Sequence, residues 1–301
     1  MSYKTETAKA SATLLNRSFV EKVSGHEKVA MEENGTAFIR SKLREAAFSR
    51  NILTPVVLGD NDFDRHTDTD MPRKIVEIEP DSTATYVNFK GTGPRRWFSG
   101  PRYEIRFGKI VSERFMKSKF ELMTYQNDIR RILTDNSVKD MADQEDARFY
   151  HTCNSIVDQF PAQSLTPVGG LNAANFIMGM KNLLSRKIPV GKVLMCEEMY
   201  LNALALPATS VGDQVASKHY NDGLSDEKTL WGVPVVTTIK NDILPANEIW
   251  FFGPENFLGN FFLIQDATLY IEQRADQIEF WSYEALGLGI GNCASMVRVR
   301  L

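Results

Sequence analysis

The C-terminal half of the chain contains its most informative stretch, Trp231-Gly-Val-Pro-Val-Val236. A second aromatic stretch, Trp250-Phe-Phe-Gly-Pro254, follows it, and the chain ends on Val297-Arg-Val-Arg-Leu301. Short runs of valine and aromatic residues bounded by glycine and proline are typical of buried strands. The pattern predicts a strand-rich C-terminal region, with strands over 233–239, 248–252, 263–273, 277–284 and 295–301.

Helices and strands alternate upstream of this region. Apolar spacing predicts a helix over 171–186, a strand over 190–196 and a second helix that begins near Glu197. Residues 212–228 are rich in glycine and charged residues, so we expect a loop there.

A long helix is expected in the middle of the chain. Ser137-Val-Lys-Asp140 matches a capping box, and apolar residues recur after it at three- and four-residue intervals until Pro161. The recurring residues are Met141, Phe149, Cys153, Ile156, Val157 and Phe160. The spacing predicts one helix over 138–160, about 34 Å long at 1.5 Å per residue, with a narrow apolar stripe.

Residues 74–122 favour β structure around a glycine- and proline-rich tip. Strands are predicted over 74–79 and 83–90, and the alternation of Tyr103, Ile105 and Phe107 predicts a returning strand. The tip between them reads Gly91-Thr-Gly-Pro-Arg-Arg-Trp-Phe-Ser-Gly-Pro101. We interpret the region as an extended two-stranded excursion, for which the sequence offers no obvious body to pack on.

This excursion is strongly basic. Nine cations and two anions lie between Lys90 and Lys119, and Trp97 and Phe98 lie near the tip. A basic surface with aromatic residues can bind single-stranded nucleic acid, but a net charge of −3 for the whole chain disfavours that function.

The N-terminal 26 residues are polar, with one apolar cluster: Leu14, Leu15, Phe19 and Val20. Burial of so few apolar residues cannot offset the conformational entropy that is lost when the segment becomes ordered. We therefore expect an arm that is ordered only against another surface. A helix that opens at Thr36 and a short strand over 55–58 are expected next.

An acidic segment follows the short strand. It contains Asp60, Asp62, Asp64, Asp68 and Asp70. Its start resembles a calcium-binding loop, but Arg65 replaces the turn glycine and Met71 the bidentate glutamate. We interpret it as a solvated loop, and a cation site is the alternative.

Composition excludes several protein classes. The 301 residues are 43% hydrophobic and 24% charged, typical of a globular chain, with no run long enough to span a membrane and no secretory signal. Three widely spaced cysteines indicate neither a disulfide framework nor a zinc site, so a reducing compartment is expected. Charge is unevenly distributed: residues 1–120 hold 21 Lys/Arg and 16 Asp/Glu, whereas residues 121–301 hold 14 and 22.

Motifs of the common enzyme classes are missing from the sequence. There is no phosphate-binding P-loop, no nucleophile elbow and no HExxH, and the four histidines are scattered. The glycines of Gly287-Leu-Gly-Ile-Gly291 lack dinucleotide-loop spacing and are expected between strands, where they indicate close packing. We therefore predict a protein that is not an enzyme, with no catalytic residue, no cofactor and no metal.

The order of these elements, together with the Gly-x-Pro-Val-Val strand, the aromatic strand after it and the short final strand, resembles the major capsid proteins of tailed double-stranded DNA bacteriophages. The resemblance implies the α+β Hong Kong 97 capsid fold. It implies an N-terminal arm (1–50), an extended β-hairpin loop (60–115), a peripheral domain with the long spine helix (51–59, 116–164 and 271–292) and an axial domain (165–270 and 293–301).

The resemblance also implies a function. It predicts a structural protein whose copies assemble as hexamers and pentamers into the icosahedral head of a virion, formed in the bacterial cytoplasm around packaged double-stranded DNA that is bound without sequence specificity. Scaffolding, decoration and portal proteins are the further partners implied, and no membrane is.

The residues expected at inter-subunit contacts are Arg95, Arg96, Trp97, Phe98, Leu14, Leu15 and Phe19. Two alternative functions remain at this point. One is an encapsulin-like compartment shell, and the other is a soluble protein that binds metal or nucleic acid.

Overall fold

The computed structural model describes residues 14–24, 27–64, 68–78, 83–95, 97, 100–124, 129–205 and 228–301. Within these ranges the chain combines helices with a six-stranded sheet, a five-stranded sheet and a two-stranded ribbon, which is the α+β class expected. No helix in the described part of the chain is long and apolar enough to span a bilayer.

The six-stranded sheet has the order β6-β13-β10-β7-β9-β8. Its strands are β6 (Ser164–Leu165), β7 (Lys192–Cys196), β8 (Thr229–Leu230), β9 (Val233–Thr238), β10 (Glu248–Phe252) and β13 (Met296–Arg300). β10 is buried along its whole length because helices cover both faces of the sheet. Ile249 and Phe251 face one hydrophobic cluster, and Trp250 and Phe252 face another.

Four helices are associated with this sheet: α5 (Ile129–Gln159), α6 (Ala173–Ser185), α7 (Glu197–Leu204) and the short α8 (Glu255–Leu258). α5 packs on the face of Trp250 and Phe252, and α6 and α7 pack on the opposite face. The long helix expected over 138–160 therefore exists, but it begins at Ile129. Ser137 is a buried residue inside the helix, so the capping-box prediction was wrong.

The five-stranded sheet is built on a long hairpin, β11 (Gly259–Arg274) and β12 (Gln277–Ile290). β1 (Pro55–Val57) pairs with β11 in parallel, and β4 (Gly108–Val111) and β5 (Phe115–Ser118) pair with β12. The expected strand over 277–284 continues to Ile290, so the glycine-rich segment lies largely within a strand and not between strands.

The two-stranded ribbon consists of β2 (Arg73–Glu77) and β3 (Arg102–Arg106). The strand expected over 83–90 is absent: residues 83–88 form no strand and residues 89–90 form a turn. The base of the excursion does pack on the rest of the chain, contrary to the expectation that no obvious surface exists for it. Ile105 is buried against Gly287 and Gly289 of β12, where any larger residue would collide with it.

The N-terminal helices are α1 (residues 14–24), α2 (Lys28–Ala46) and α3 (Phe48–Ile52), and α4 (Lys119–Thr124) follows β5. α2 extends in both directions beyond the helix start expected at Thr36. α1 packs its apolar side chains into a cluster shared with α5 and the β11–β12 hairpin. This part of the arm is thus folded on its own chain.

Candidate inter-subunit surface

The excursion projects three aromatic side chains away from the body of the protein. Tyr86 is 98% exposed, Trp97 is 95% exposed and Phe89 is fully exposed. None of the hydrophobic clusters of the described residues includes them. Large apolar side chains exposed close together on one segment mark an interaction site, because each would lose unfavourable contact with water in a complex.

Cations accompany these aromatics. Lys90 and Arg95 are exposed on the same segment. Arg96 and Phe98, which were also expected at subunit contacts, lie outside the described residues. The described part of the tip therefore combines a positive charge with an exposed apolar surface.

The base of the excursion is held firmly. Arg73 contacts Glu104 at 3.0 Å, Arg102 contacts Glu77 at 2.9 Å, and the amide of Asn260 donates a hydrogen bond of 2.8 Å to the Tyr103 hydroxyl. Partial burial raises the pKa of the Tyr103 hydroxyl. A base bonded to the body together with an exposed tip suits a segment that reaches a neighbouring molecule.

A groove of about 870 Å³ lies beside this base. It is lined by β1, the ribbon and the loop around α8, with Val56 and Phe257 about half exposed along it. A second, shallower groove of about 590 Å³ follows α5 and is lined by polar residues that include Gln144, Arg148 and His151.

The arm residues divide into two groups. Leu14 is 66% exposed and Leu15 is 39% exposed, so both are available to a second molecule. Phe19 is buried, and its ring stacks on Phe280 of β12 with 5.6 Å between ring centres. Phe19 therefore belongs to the core of its own chain, and we leave it out of the candidate surface.

α2 is fixed to the hairpin by polar side chains spaced four residues apart. Glu32 accepts a hydrogen bond from the Ile271 amide at 2.8 Å, Thr36 accepts one from the Leu269 amide at 3.0 Å, and Arg40 donates one to the Ala267 carbonyl at 2.9 Å. Four residues of helix rise about 6 Å, and two residues of strand rise about 6.6 Å, so the two repeats match. The side chains of α2 therefore bond the backbone groups of β11 that a neighbouring strand would otherwise pair with.

α3 is fixed by charged groups on α5. The Asp146 carboxylate accepts hydrogen bonds from the backbone amides of Phe48 and Ser49, at 3.3 and 2.9 Å, and so caps the N-terminus of α3. Lys240 pairs with the same carboxylate at 2.6 Å. Burial raises the pKa of Asp146, and Lys240 opposes that shift.

No protein-family model matches the chain, and no curated protein matches it. A virus-like particle protein from Pyrococcus furiosus is 14% identical and gives a TM-score of 0.57 over 89% of this chain and 98% of its own. The capsid protein of a native GTA particle is 12% identical, with a TM-score of 0.59 over 85% and 90% of the two chains. A chain of Microbacterium phage Oxtober96 is 9% identical, with a TM-score of 0.60 over 84% of this chain and 90% of its own.

The chain has the Hong Kong 97 capsid fold. The similarity covers 84–89% of this chain, so it is a likeness of the fold rather than of one shared motif. The fold expected from the order of sequence elements is confirmed.

Among the described residues, no group of His, Cys, Asp or Glu side chains could hold a metal ion. Near the ribbon, Asp62 accepts a hydrogen bond from the Gly59 amide and Asp64 accepts one from the Ile75 amide. These two aspartates thus stabilise turns and the edge of the ribbon.

Sequence reasoning missed the residues that fix the arm to the body. Glu32, Thr36 and Arg40 share one helix face, which is a detectable signal, but their partners are backbone atoms more than 200 residues away. Arg50, Glu145 and Glu284 form a buried cluster that no local pattern indicates.

Proposed function

We propose that this protein is the structural subunit of an icosahedral shell, the major capsid protein of a double-stranded DNA phage. The exposed aromatics of residues 83–97 carry this proposal, because they leave a monomer with an apolar surface that a second copy would cover. The similarity to capsid proteins supports the same function.

The assembly follows from that role. Copies of the chain form hexamers and pentamers, and the shell encloses DNA inside a virion that assembles in the host cytoplasm. A net charge of −3 suits a container whose lining does not bind phosphates tightly. Scaffolding, decoration and portal proteins would be its other partners, and the subunit has no enzymatic role.

The inter-subunit contact uses the tip of the excursion. Trp97 and Phe89 would be buried on a neighbouring copy, with Arg95 and Arg96 facing its acidic surface and Leu14 and Leu15 adding a second contact. Residues 121–301 carry eight more negative than positive charges, which gives the basic tip a complementary partner on the next copy. Ion pairs of this kind set the register of the contact more than its affinity.

The division of the chain is also part of the proposal. Residues 1–50 form the arm, 60–115 the extended loop, 51–59, 116–164 and 271–292 the peripheral domain, and 165–270 and 293–301 the axial domain. α5 is then the spine of the peripheral domain, and the six-stranded sheet forms most of the axial domain.

Electron microscopy of the purified protein tests the proposal. Hollow particles of uniform size are expected on expression alone or with a scaffolding protein. Analytical ultracentrifugation of the same sample would then show a large species in place of a ~34 kDa monomer. A monomer under every assembly condition would refute the proposed function.

The charge contact has its own test. Arg95→Glu combined with Arg96→Glu should abolish or strongly reduce particle formation, because both charges would then repel an acidic neighbour. Lysine at both positions is the matched control, since it keeps the charge. Particle formation that is unaffected by the glutamates would contradict the charge contact but not the shell itself.

An encapsulin-like protein compartment is the second candidate. It is favoured by the similarity to the virus-like particle protein from Pyrococcus furiosus, which covers 98% of that chain. The contents of purified particles distinguish the two functions: packaged double-stranded DNA supports a phage head, and a specific protein cargo without DNA supports a compartment.

A further inference from the structure

A buried cluster of charges joins the arm to the body. The Arg50 side chain on α3 is 2% exposed, and the Glu145 side chain on α5 and the Glu284 side chain on β12 are fully buried. The Arg50 Nε lies 2.8 Å from Glu145 Oε2, and its Nη2 lies 2.9 Å from Glu284 Oε2. One guanidinium therefore faces two carboxyl groups where water does not reach.

Other charged groups approach this cluster from the surrounding elements. Asp266 on β11 contacts Arg50 at 3.3 Å, and its other oxygen lies 3.6 Å from Arg40 on α2. Asp146 and Asp143 of α5 share one cation, Lys240, which lies 2.6 Å from the first and 3.0 Å from the second. On the β4 side the nearby cations are Arg148, which lies over Gly108, and Lys109, which lies over the Tyr283 ring.

The charges inside the cluster do not balance if every carboxyl group is ionised. Arg40 and Asp266 form a partly exposed pair, which leaves Arg50 with both buried glutamates. An uncompensated charge in a buried site is very unfavourable, so such a group takes up a proton instead. The Glu284 Oε1 is buried and has no hydrogen-bond partner among the described residues, as fits a carboxyl group that is not fully ionised.

The pKa of Glu284 agrees with this charge count. Burial, followed by the proximity of Glu145, raises the pKa of Glu284 to about 10, and Arg50 opposes the shift. Although burial lowers the pKa of Arg50, its contacts with Glu145, Glu284 and Asp266 raise it above the ordinary value, so the guanidinium stays charged.

We propose that Glu284 holds a proton at neutral pH beside Glu145 and Arg50, and that this proton makes the attachment of α3 to α5 and β12 a pH-sensitive latch. With the proton in place, the pair carries a single negative charge that matches Arg50. Without it, two carboxylates repel each other inside the core, and the attachment of α3 weakens. The pair lies within one subunit, so the latch does not depend on assembly into a shell.

The direction of the pH effect follows from proton linkage. In the unfolded chain Glu284 loses its proton near the ordinary value of 4.5, whereas in the folded chain it keeps the proton up to about pH 10. The folded state thus binds one more proton across this range, and its stability falls as pH rises. The stabilising contribution is complete below about pH 4.5 and is lost progressively up to about pH 10.

Urea unfolding of the full chain as a function of pH tests the latch. Because one proton is linked, the folding equilibrium constant of the wild-type chain should fall by up to tenfold per pH unit between about pH 5 and about pH 9. Glu284→Gln should remove this decrease. Glu145→Gln should have the same effect, because either glutamine leaves one carboxylate for Arg50. Glu279→Gln on the same strand is the control and should leave the slope unchanged.

Two further measurements keep the test decisive if a variant does not fold. Infrared spectroscopy of the wild-type chain at neutral pH should show the band of a buried protonated carboxylic acid. Amide hydrogen exchange, corrected for intrinsic rates, should show that α3 loses protection as pH rises. A wild-type chain without the band, or with protection of α3 independent of pH, would overturn the proposal.

Discussion

Gly179 shows how one residue sets the packing of the six-stranded sheet. It lies inside α6, and a Cβ built there would be 2.4 Å from the Cε2 atom of Phe251, a fully buried ring that also contacts Phe176. Alanine favours a helix by about 1 kcal/mol, but overpacking a core costs about 1–3 kcal/mol. Gly179→Ala should therefore destabilise the chain by up to about 2 kcal/mol in urea unfolding.

Gly93 provides the matched control for this substitution. A Cβ at that position would meet no atom within 4 Å, so Gly93→Ala should change stability by less than about 0.5 kcal/mol. Equal effects at the two positions would mean that the contact between α6 and β10 tolerates a larger residue than its geometry indicates.

Single residues also show where prediction from sequence ends. The exposure of Trp97 could be anticipated, because the surrounding glycines and prolines indicate a loop tip. The burial of Phe19 could not, because its partner Phe280 is more than 250 residues away and the local sequence is polar. The same holds for the buried cluster, in which Arg50 is separated by 95 residues from Glu145 and by 234 from Glu284.

At the scale of elements, the existence of each major helix and strand was easier to predict than its ends. The apolar spacing of α5 indicates a long helix, yet the helix begins at Ile129, two turns ahead of the capping box, and packs on α1 and the hairpin through residues 138–142. β12 continues past Glu284 because Gly287 and Gly289 make room for Ile105 of the ribbon. Glycine lowers strand propensity locally, but here the packing of a second strand over it decides the structure.

The attachment of α2 to β11 gives a prediction for an element. Thr36→Val removes the acceptor of the buried Leu269 amide, and an unsatisfied buried donor costs about 1–3 kcal/mol. Hydrogen exchange should show faster exchange at Leu269 and its neighbours, together with a lower urea midpoint. Thr36→Ser keeps the hydroxyl and should preserve most of the protection. Equal exchange in both variants would show that α2 does not protect this edge of the hairpin.

The whole molecule consists of a body that buries its own core and an excursion that does not take part in it. Three hydrophobic clusters lie in the body, and one of them joins α5 to both large sheets, whereas Tyr86, Phe89 and Trp97 contribute to none of the three among the described residues. Stability of the chain and assembly of the chain should therefore depend on different residues. The uneven charge fits the same division, because the basic residues concentrate where the excursion lies.

This division is tested by replacing residues 80–99 with a two-residue Asn-Gly turn, which can join strands such as β2 and β3. The variant should keep the urea midpoint of the wild-type monomer, because the ribbon and its contacts with β12 remain. It should form no particles, because the aromatic and cationic contacts with a second copy are gone. The triple substitution of Tyr86, Phe89 and Trp97 by alanine should act in the same direction with the loop length intact. Particles that form normally without the tip would show that assembly relies on the arm and the body alone.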